Sequence, residues 1–357
     1  GGCQAKVGSL GGFDFAFTLP EAVNLGYTQL HLTAQGSLAG LTNVQYSHSF
    51  QIQEFRRPEF EVNARNETPG PYFAGESAVV AVQAKYYAGD PLPNADVTWQ
   101  VSYTPGHYAP PNWPDFTFGA WYPWFWFYEG PSQGGETRYE TFTGKTDAAG
   151  EHYLRLDFDT QRPEPISVQA EAAVMDVNRQ AWTGATHLLV HPASLYVGLR
   201  SERYFVERGV PLKIDLIVAD LDGNPVADRP IEVKAARMEW KYRAGEWSEV
   251  EAQVQTCQVG SQAQPVSCTF ETPLGGSYRI TAEVKDERGR LNRSQFTRWV
   301  SGGELRPARK VEQEKVTLIP DQETYQPGQV ARILVQSPFS PAEGLLTVSR
   351  SGVLYTQ

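Results

Sequence analysis

Cysteines, methionines and long apolar runs are scarce or missing in this sequence. It has three cysteines and two methionines in 357 residues, and it lacks the run of about eighteen apolar residues that a membrane-spanning helix needs. The first residues also lack the basic start and apolar core of a signal peptide. The net charge of -10 is spread along the chain without a basic stripe. The sequence therefore argues against a transmembrane helix and against a nucleic-acid partner.

Turn formers and aromatic residues are abundant. The chain has 25 prolines, 32 glycines and 12% aromatic residues, a composition that favours turn-rich antiparallel sheets over helices. No long segment shows apolar residues at a spacing of 3.6. Strand signals recur about every ten residues, which predicts three or four modules of roughly 100 residues, each able to bury its own core.

A strand-and-turn phrase occurs three times, at 71–76, 204–209 and 325–329. Each copy has a turn glycine followed by apolar residues at every second position, which predicts a half-buried strand. The alternating residues are Ala78, Val80, Val82 and Ala84 after the first copy, Leu212, Ile214, Leu216 and Val218 after the second, with Lys213 and Asp215 on the opposite face, and Ala331, Ile333 and Val335 after the third.

A second phrase repeats as well, because residues 89–99 align without a gap on residues 223–233. Matched segments in the same order define a repeating unit, so the sequence predicts an all-β protein of tandem immunoglobulin-like antiparallel β-sandwiches. The predicted division is the end of one domain at 1–56, complete domains at 57–192 and 193–303, and the beginning of a further domain at 312–357. Both ends thus resemble boundaries within a longer protein. The glycine-containing joint at 301–315 is the longest and is predicted to be the most mobile.

The cysteines offer one candidate disulfide. Cys257 and Cys268 flank a ten-residue stretch, a spacing that two adjacent antiparallel strands could bridge. A disulfide would imply an oxidising compartment. The alternative is a pair of reduced thiols in the core. Cys3 has no evident partner.

An aromatic-rich insertion at about 104–140 interrupts the first complete domain. Ten of the sixteen residues from Trp113 to Tyr128 are aromatic, including Trp121, Trp124 and Trp126. Such a segment could contact a partner or a membrane interface, since tryptophan and tyrosine suit both. We favour a segment that folds over its own domain or the neighbouring one, because an exposed apolar patch of this size is a liability.

Candidates for catalysis or metal binding are weak. His187 and His191 are four apart, but a strand would separate them by about 13 Å, too far to share a metal ion. Residues 130–134 match Gly-x-Ser-x-Gly in letters without the helix that this motif needs. Asp147, Asp222 and Asp286 each lie within three residues of a glycine, which is typical of a turn in which the aspartate side chain bonds its own backbone. We therefore assign no catalytic, cofactor or metal residue and predict that the chain is not an enzyme.

Several segments resemble the α2-macroglobulin family, and its bacterial members in particular. Residues 53–62 read Gln-Glu-Phe-Arg-Arg-Pro-Glu-Phe-Glu-Val and are similar to the joint between two macroglobulin-like domains. Residues 13–15, 19–20 and 24–27 resemble the end of such a domain. Residues 325–331, with 336–339, resemble the opening of a later one. The resemblance covers essentially the whole chain.

The resemblance implies a protease trap, in which cleavage of a bait segment triggers collapse around the protease. The family's thioester motif, Cys-x-Glu-Gln, follows none of the three cysteines, so the chain would be a structural scaffold portion of a broad-spectrum bacterial protease inhibitor. The implied partners are proteases, met through the full-length protein. The implied setting is a monomer in the periplasm, held at the inner membrane by a lipoprotein tether outside this span. The alternative function is an immunoglobulin-like adhesin or carbohydrate-binding array that uses the aromatic segment.

Overall fold

The computed structural model describes residues 4–8, 12–16, 18, 26–34, 44–52, 59–121, 137–159, 162–243, 246–302, 316–337 and 343–357. Two compact units are present, Gly1–Glu59 and Phe60–Gln357. All regular elements of the described residues are β-strands, which confirms the predicted all-β class. In the first unit, β1 (Gly26–Ala34) and β2 (Val44–Ile52) form an antiparallel hairpin. In the described part of the chain, no helix is long and apolar enough to cross a membrane.

The second unit begins with a β-sandwich that we call the first sandwich (residues 60–191). One sheet has the order β3-β5-β8 and the other β4-β10-β9-β6-β7. Its strands are β3 (Phe60–Asn66), β4 (Tyr72–Phe73), β5 (Ser77–Tyr86), β6 (Asp96–Pro105), β7 (Arg138–Lys145), β8 (Glu151–Asp157), β9 (Ile166–Met175) and β10 (Ala181–His191).

A second sandwich (residues 195–300) follows with the same strand order. Its sheets have the orders β11-β13-β16 and β12-β18-β17-β14-β15. Its strands are β11 (Leu195–Arg200), β12 (Phe205–Val206), β13 (Leu212–Asp220), β14 (Pro230–Arg243), β15 (Glu246–Gly260), β16 (Val266–Phe270), β17 (Gly276–Lys285) and β18 (Leu291–Val300).

The alternation of small and branched apolar residues explains why these segments become strands around a core. On β5 and β13 the residues predicted to face inward are all buried: Ala78, Val80, Val82, Ala84, Leu212, Ile214, Leu216 and Val218. Each sandwich has a separate hydrophobic core between its two sheets. Burial of apolar surface on both inner faces is the main stabilising contribution, at about 25 cal/mol per Å².

The repeated phrases occupy equivalent places. Val97 pairs with Val174 of β9 in the first sandwich, and the aligned Ile231 pairs with Val284 of β17 in the second.

The aspartate turns are largely as predicted, since the Oδ1 atoms of Asp147 and Asp286 accept hydrogen bonds from their own turns. In the third turn the prediction was wrong by two residues. Asp220, and not Asp222, accepts these bonds, because it ends the strand and therefore faces the turn amides.

Residues 316–357 contain two further hairpins. They are β19 (Thr317–Pro320) with β20 (Ile333–Gln336), and β21 (Thr347–Ser349) with β22 (Val353–Thr356). β20 begins at Ile333, after the third copy of the repeated phrase, and contains two of the three residues predicted to alternate there, Ile333 and Val335. The predicted domain boundaries stay predictions. The proposed mobile joint lies mostly outside the described residues, because 303–315 are not described.

Candidate functional site: an aromatic strap between two sandwiches

The first half of the aromatic insertion lies on the second sandwich. We call residues 106–121 the aromatic strap. It leaves the end of β6 and crosses the open edge where β11 and β18, which belong to different sheets, face each other. Trp124 and Trp126, as well as the Gly-x-Ser-x-Gly match at 130–134, lie outside the described residues.

Backbone hydrogen bonds attach the strap to both sheets. Thr117 forms an antiparallel bridge with Leu199 of β11, in which each amide donates to the other's carbonyl, at 2.7 and 2.9 Å. Further along, the amide of Gln295 in β18 donates to Gly119 O, and the amide of Trp121 donates to Gln295 O, both at 2.9 Å. The strap therefore pairs with a strand of each sheet and closes one seam of the second sandwich.

Aromatic side chains of the strap fill a small core of their own. Phe116 and Phe118 are buried against Tyr196 of β11 and Ile217 of β13, with Trp113 half-buried beside them. Gly198 makes this contact possible, because a Cβ there would lie 2.7 Å from the ring of Phe118. The outer face of β13, predicted to be polar from Lys213 and Asp215, is therefore covered where Ile217 lies.

Two polar anchors fix the beginning of the strap on the turn after β13. The Trp113 Nε1–H donates to Gly223 O at 2.9 Å, and the Tyr108 hydroxyl donates to Leu221 O. Gly223 has a φ of 81°, and a Cβ there would lie 2.1 Å from Pro111 O. A side chain at Gly223 would thus be strained and would also push the strap away.

Tyr108 also packs into a cluster at the direct joint between the sandwiches. Its ring lies edge-on to His191, the last residue of β10, with ring centroids 4.8 Å apart. The Nδ1 of His191 is 2.7 Å from the hydroxyl of Tyr196, on the other side of the joint. Burial lowers the pKa of His191 to about 4, so this imidazole is neutral at pH 7.

His187, the other histidine of the pair considered for metal binding, is exposed on the same strand. In the described part of the chain, no three His, Cys, Asp or Glu side chains form a group that could hold a metal ion.

Arg290 forms a second connection across the joint. Its Nε is 2.7 Å from Asp286 Oδ2 in the second sandwich, and its Nη1 is 3.3 Å from Glu76 Oε1 in the first. The guanidinium also lies 4.0 Å from the ring centroid of Phe73. Burial alone would raise the pKa of Asp286, but hydrogen bonds from Ser194 N and from Arg290 outweigh it and lower the pKa. The carboxylate is therefore ionised and can accept all of these bonds.

The far end of the strap meets a buried arginine. Trp121 stacks on Tyr204, with centroids 5.4 Å apart, and the guanidinium of Arg298 lies 5.3 Å from the Trp121 centroid and 3.6 Å from that of Phe296. Burial lowers the pKa of Arg298 to about 9. Its described partners are the carbonyl of Thr297 and these aromatic faces, which stabilise the cation through their π-electrons.

The opposite seam of the second sandwich is closed by a disulfide. Cys257 of β15 and Cys268 of β16 are bonded, with their Cα atoms 6.2 Å apart. The two strands belong to different sheets, so the bond joins the sheets, whereas the sequence had suggested neighbouring paired strands. Beside it, the side-chain amide of Gln255 exchanges two hydrogen bonds with the backbone of Glu271, at 2.8 and 2.9 Å.

The first sandwich closes the same seam without cysteines. Phe142 pairs with Trp99 as Cys257 pairs with Val233, so Phe142 occupies the equivalent place. The Nε1–H of Trp99 donates to His152 Nδ1 at 3.1 Å, and the ring of His152 fills the space beside Gly144. Cys3 lies outside the described residues.

Sequence reasoning missed several residues of this interface, namely Tyr108, Phe116, Phe118, Tyr196, Gly198 and Arg298. A signal was present for the covered face, since Tyr196 and Ile217 are apolar residues at positions that the alternation assigns to the outside of the sheet. An apolar residue there indicates that something covers the sheet.

A comparison of the sequence with models of known protein families gave no match. The chain is 21% identical over 355 residues to an α2-macroglobulin homologue of Nostoc, covering 97% of this chain and 18% of the relative. It is 29% identical over 267 residues to circularly permutated Ras protein 2 of Dictyostelium discoideum, covering 64% of this chain and 6% of that protein. The chain thus spans a small part of the curated relatives that it matches.

Among solved structures, the native conformation of Escherichia coli α2-macroglobulin is similar with a TM-score of 0.50 and 17% identity, over 98% of this chain and 22% of that one. At this identity the similarity concerns the fold, and it agrees with the tandem sandwiches described above.

Proposed function

We propose that these residues form a non-catalytic scaffold within a broad-spectrum protease inhibitor, since the predicted resemblance to the bacterial α2-macroglobulins is confirmed over nearly the whole chain. In this proposal a protease cleaves a bait segment elsewhere in the protein, and the domains then rearrange around it. The partners would be proteases, met by the full-length protein. The protein would be located in the periplasm and held at the inner membrane by a lipoprotein tether. It would be a monomer.

The observation that supports a scaffold role is the double attachment between the two sandwiches. They are joined directly at His191–Leu195 and again by the strap, which pairs with both sheets of the second sandwich. Two packed bodies held at two places move as one body, because packed cores resist deformation. A rigid body of this kind can transmit a displacement from one end of a trap to the other.

The test uses the full-length bacterial protein and a protease that it traps. A trapped protease keeps its active site but is enclosed, so cleavage of a protein substrate should fall while cleavage of a small peptide substrate continues. A variant with Gly223→Val, which displaces the strap, should trap less than wild type, whereas Gly89→Val, at the aligned turn glycine of the first sandwich with a φ of 102° and open space around it, should trap normally. Undiminished cleavage of protein substrates by wild type would contradict the inhibitor proposal.

The alternative of a carbohydrate-binding array or adhesin is weakened because two of the tryptophans already make contacts within the protein. Trp113 donates its N–H to Gly223 O, and Trp121 stacks on Tyr204. Trp113 and Trp121 are half-buried in these contacts, which leaves less ring surface to stack on a sugar. Binding of the chain to a glycan array that is lost on Trp124→Ala would restore this alternative.

A further inference from the structure

The two sandwiches have equivalent connections between the fourth and fifth strands in the order of the five-stranded sheet. In the first sandwich, residues 106–137 lie between β6 and β7 and begin with the strap. In the second, β14 and β15 continue past the rest of their sheet as a long hairpin, and the pairing runs from Glu239 with Val250 to Arg243 with Glu246. We call residues 238–243 and 246–252 the hairpin arm.

Both connections leave their sheet at the same end from which the chain continues into the next set of strands. β6 and β10 are each antiparallel to β9, so they run in the same direction, and β10 leads into the second sandwich. β14 and β18 are likewise both antiparallel to β17, and β18 leads toward residues 316–357. The hairpin arm therefore extends toward the third set of strands, as the strap extends toward the second sandwich.

The third set of strands presents the same type of edge that receives the strap. Leu199, which pairs with Thr117 of the strap, lies opposite Leu216 in the β11–β13 ladder. Leu318 lies opposite Val335 in the β19–β20 ladder, and Val335 has the same offset from the turn glycine as Leu216. β19 is thus the counterpart of β11, and in the described residues its outer edge has no strand beside it.

Residues 321–323 are already held at this end of the second sandwich. The amide of Tyr204 donates to Asp321 O at 3.0 Å, and its hydroxyl lies 3.1 Å from Glu323 Oε2. Met238, at the base of the hairpin arm, and Ile319 of β19 are both buried, yet neither belongs to any of the three hydrophobic clusters. Lys241 Nζ of the arm lies 3.8 Å from Glu239 Oε2 within the arm, and the segment held at Tyr204 carries Asp321 and Glu323.

From these observations we propose that the hairpin arm is a docking element for the third set of strands, residues 317–336. Each sandwich then reaches forward and holds the next one, first through the aromatic strap and then through the hairpin arm. The second contact is more polar than the first, because Gly198 and Ile217 beneath the strap correspond to Thr317 and Gln336. This inference does not depend on protease trapping, and its test involves no protease.

The test is hydrogen–deuterium exchange of the whole chain, read by mass spectrometry. One variant replaces residues 241–248 with an Asn-Gly turn, which keeps Glu249 as the partner of Arg279. We expect amide exchange in 317–336 to become about tenfold faster, which corresponds to about 1.4 kcal/mol of local opening free energy. A second variant, Lys241→Glu, adds negative charge to an arm that docking would bring near Asp321 and Glu323, so it should change the same peptides in the same direction. The pair that it removes, Lys241 with Glu239, is largely solvent-exposed, and the hairpin should keep its strand pairing.

Lys285→Glu is the matched control, because it makes the same charge change at the opposite end of the same sheet. Unchanged exchange in 317–336 for both hairpin variants would overturn the proposal, as would an equal effect of Lys285→Glu. If the shortened hairpin unfolds the second sandwich, seen as faster exchange throughout β17 and β18, the result for Lys241→Glu decides.

Discussion

At the scale of single residues, the joint between the sandwiches is held by side chains whose charge state depends on burial. His191 is neutral because it is enclosed by Tyr108, Tyr196 and Phe73. Asp286 is ionised because Ser194 and Arg290 bond to it. The joint is thus stable at neutral pH, where His191 is neutral and Asp286 is ionised.

Acid should weaken this joint through His191. Its pKa is about 4 in the folded protein and about 6.5 in an unfolded chain. As the pH falls from 6.5 to 4, the unfolded chain takes up a proton that the folded protein does not, so the free energy of unfolding should fall by about 3 kcal/mol. Urea denaturation at several pH values measures this, and His191→Asn should remove that part of the slope.

His187→Asn is the control for this prediction, because His187 lies on the same strand with an exposed side chain. It should keep the wild-type dependence on pH. The difference between wild type and His191→Asn cancels the contribution of the carboxylates. If the free energy of unfolding of wild type and of His191→Asn depended equally on pH, His191 would not be the group responsible.

At the scale of elements, the two sandwiches close the same seam by different means. The disulfide of the second sandwich lies at the position that Phe142 occupies in the first sandwich, beside Trp99 and His152. With a sequence separation of 11, loop-closure entropy gives the disulfide a contribution of about 3 kcal/mol. Reduction should therefore affect the second sandwich selectively.

Hydrogen exchange with and without a thiol reductant checks this prediction. On reduction, amides of β16, which lies at this seam, should accelerate more than those of β8, its counterpart in the first sandwich, because the seam opens locally before the coupled sandwiches unfold. The variant in which Cys257 and Cys268 are both replaced by alanine should behave like the reduced protein and be insensitive to the reductant. Equal acceleration in both sandwiches would mean that the bond supports the whole molecule and not one seam.

The sequence predicted the elements better than their assembly. Apolar residues at every second position of β5 and β13 identified the inward residues, because a buried inner face demands apolar residues at period 2. The strap could not be placed in this way, since a single apolar pair two residues apart, Phe116 and Phe118, is too short a pattern to identify a strand. Their contacts depend on Gly198 and Ile217, about 80 to 100 residues later in the chain. The disulfide pair was visible from spacing, but the sheets that it joins depend on the crossover between strands.

At the scale of the whole molecule, the strap decides whether the two sandwiches unfold together. Wild type should show one transition for residues 60–300, because the direct joint and the strap couple the two cores. Phe118→Ala leaves a cavity between the strap and Gly198, at a cost of about 3 to 5 kcal/mol. We expect the variant to unfold in two steps, with the second sandwich first, since its β11–β18 seam is then open.

Phe142→Ala provides the comparison, because it removes a ring of the same size from the β7 edge of the first sandwich, away from the strap. It should lower the midpoint while keeping a single transition. Calorimetry and tryptophan fluorescence together distinguish one transition from two. If Phe118→Ala also kept one transition, with the same loss as Phe142→Ala, the strap would be a covering for one sandwich and the direct joint alone would couple them. The relay role proposed for this part of the protein would then depend on His191 and Arg290.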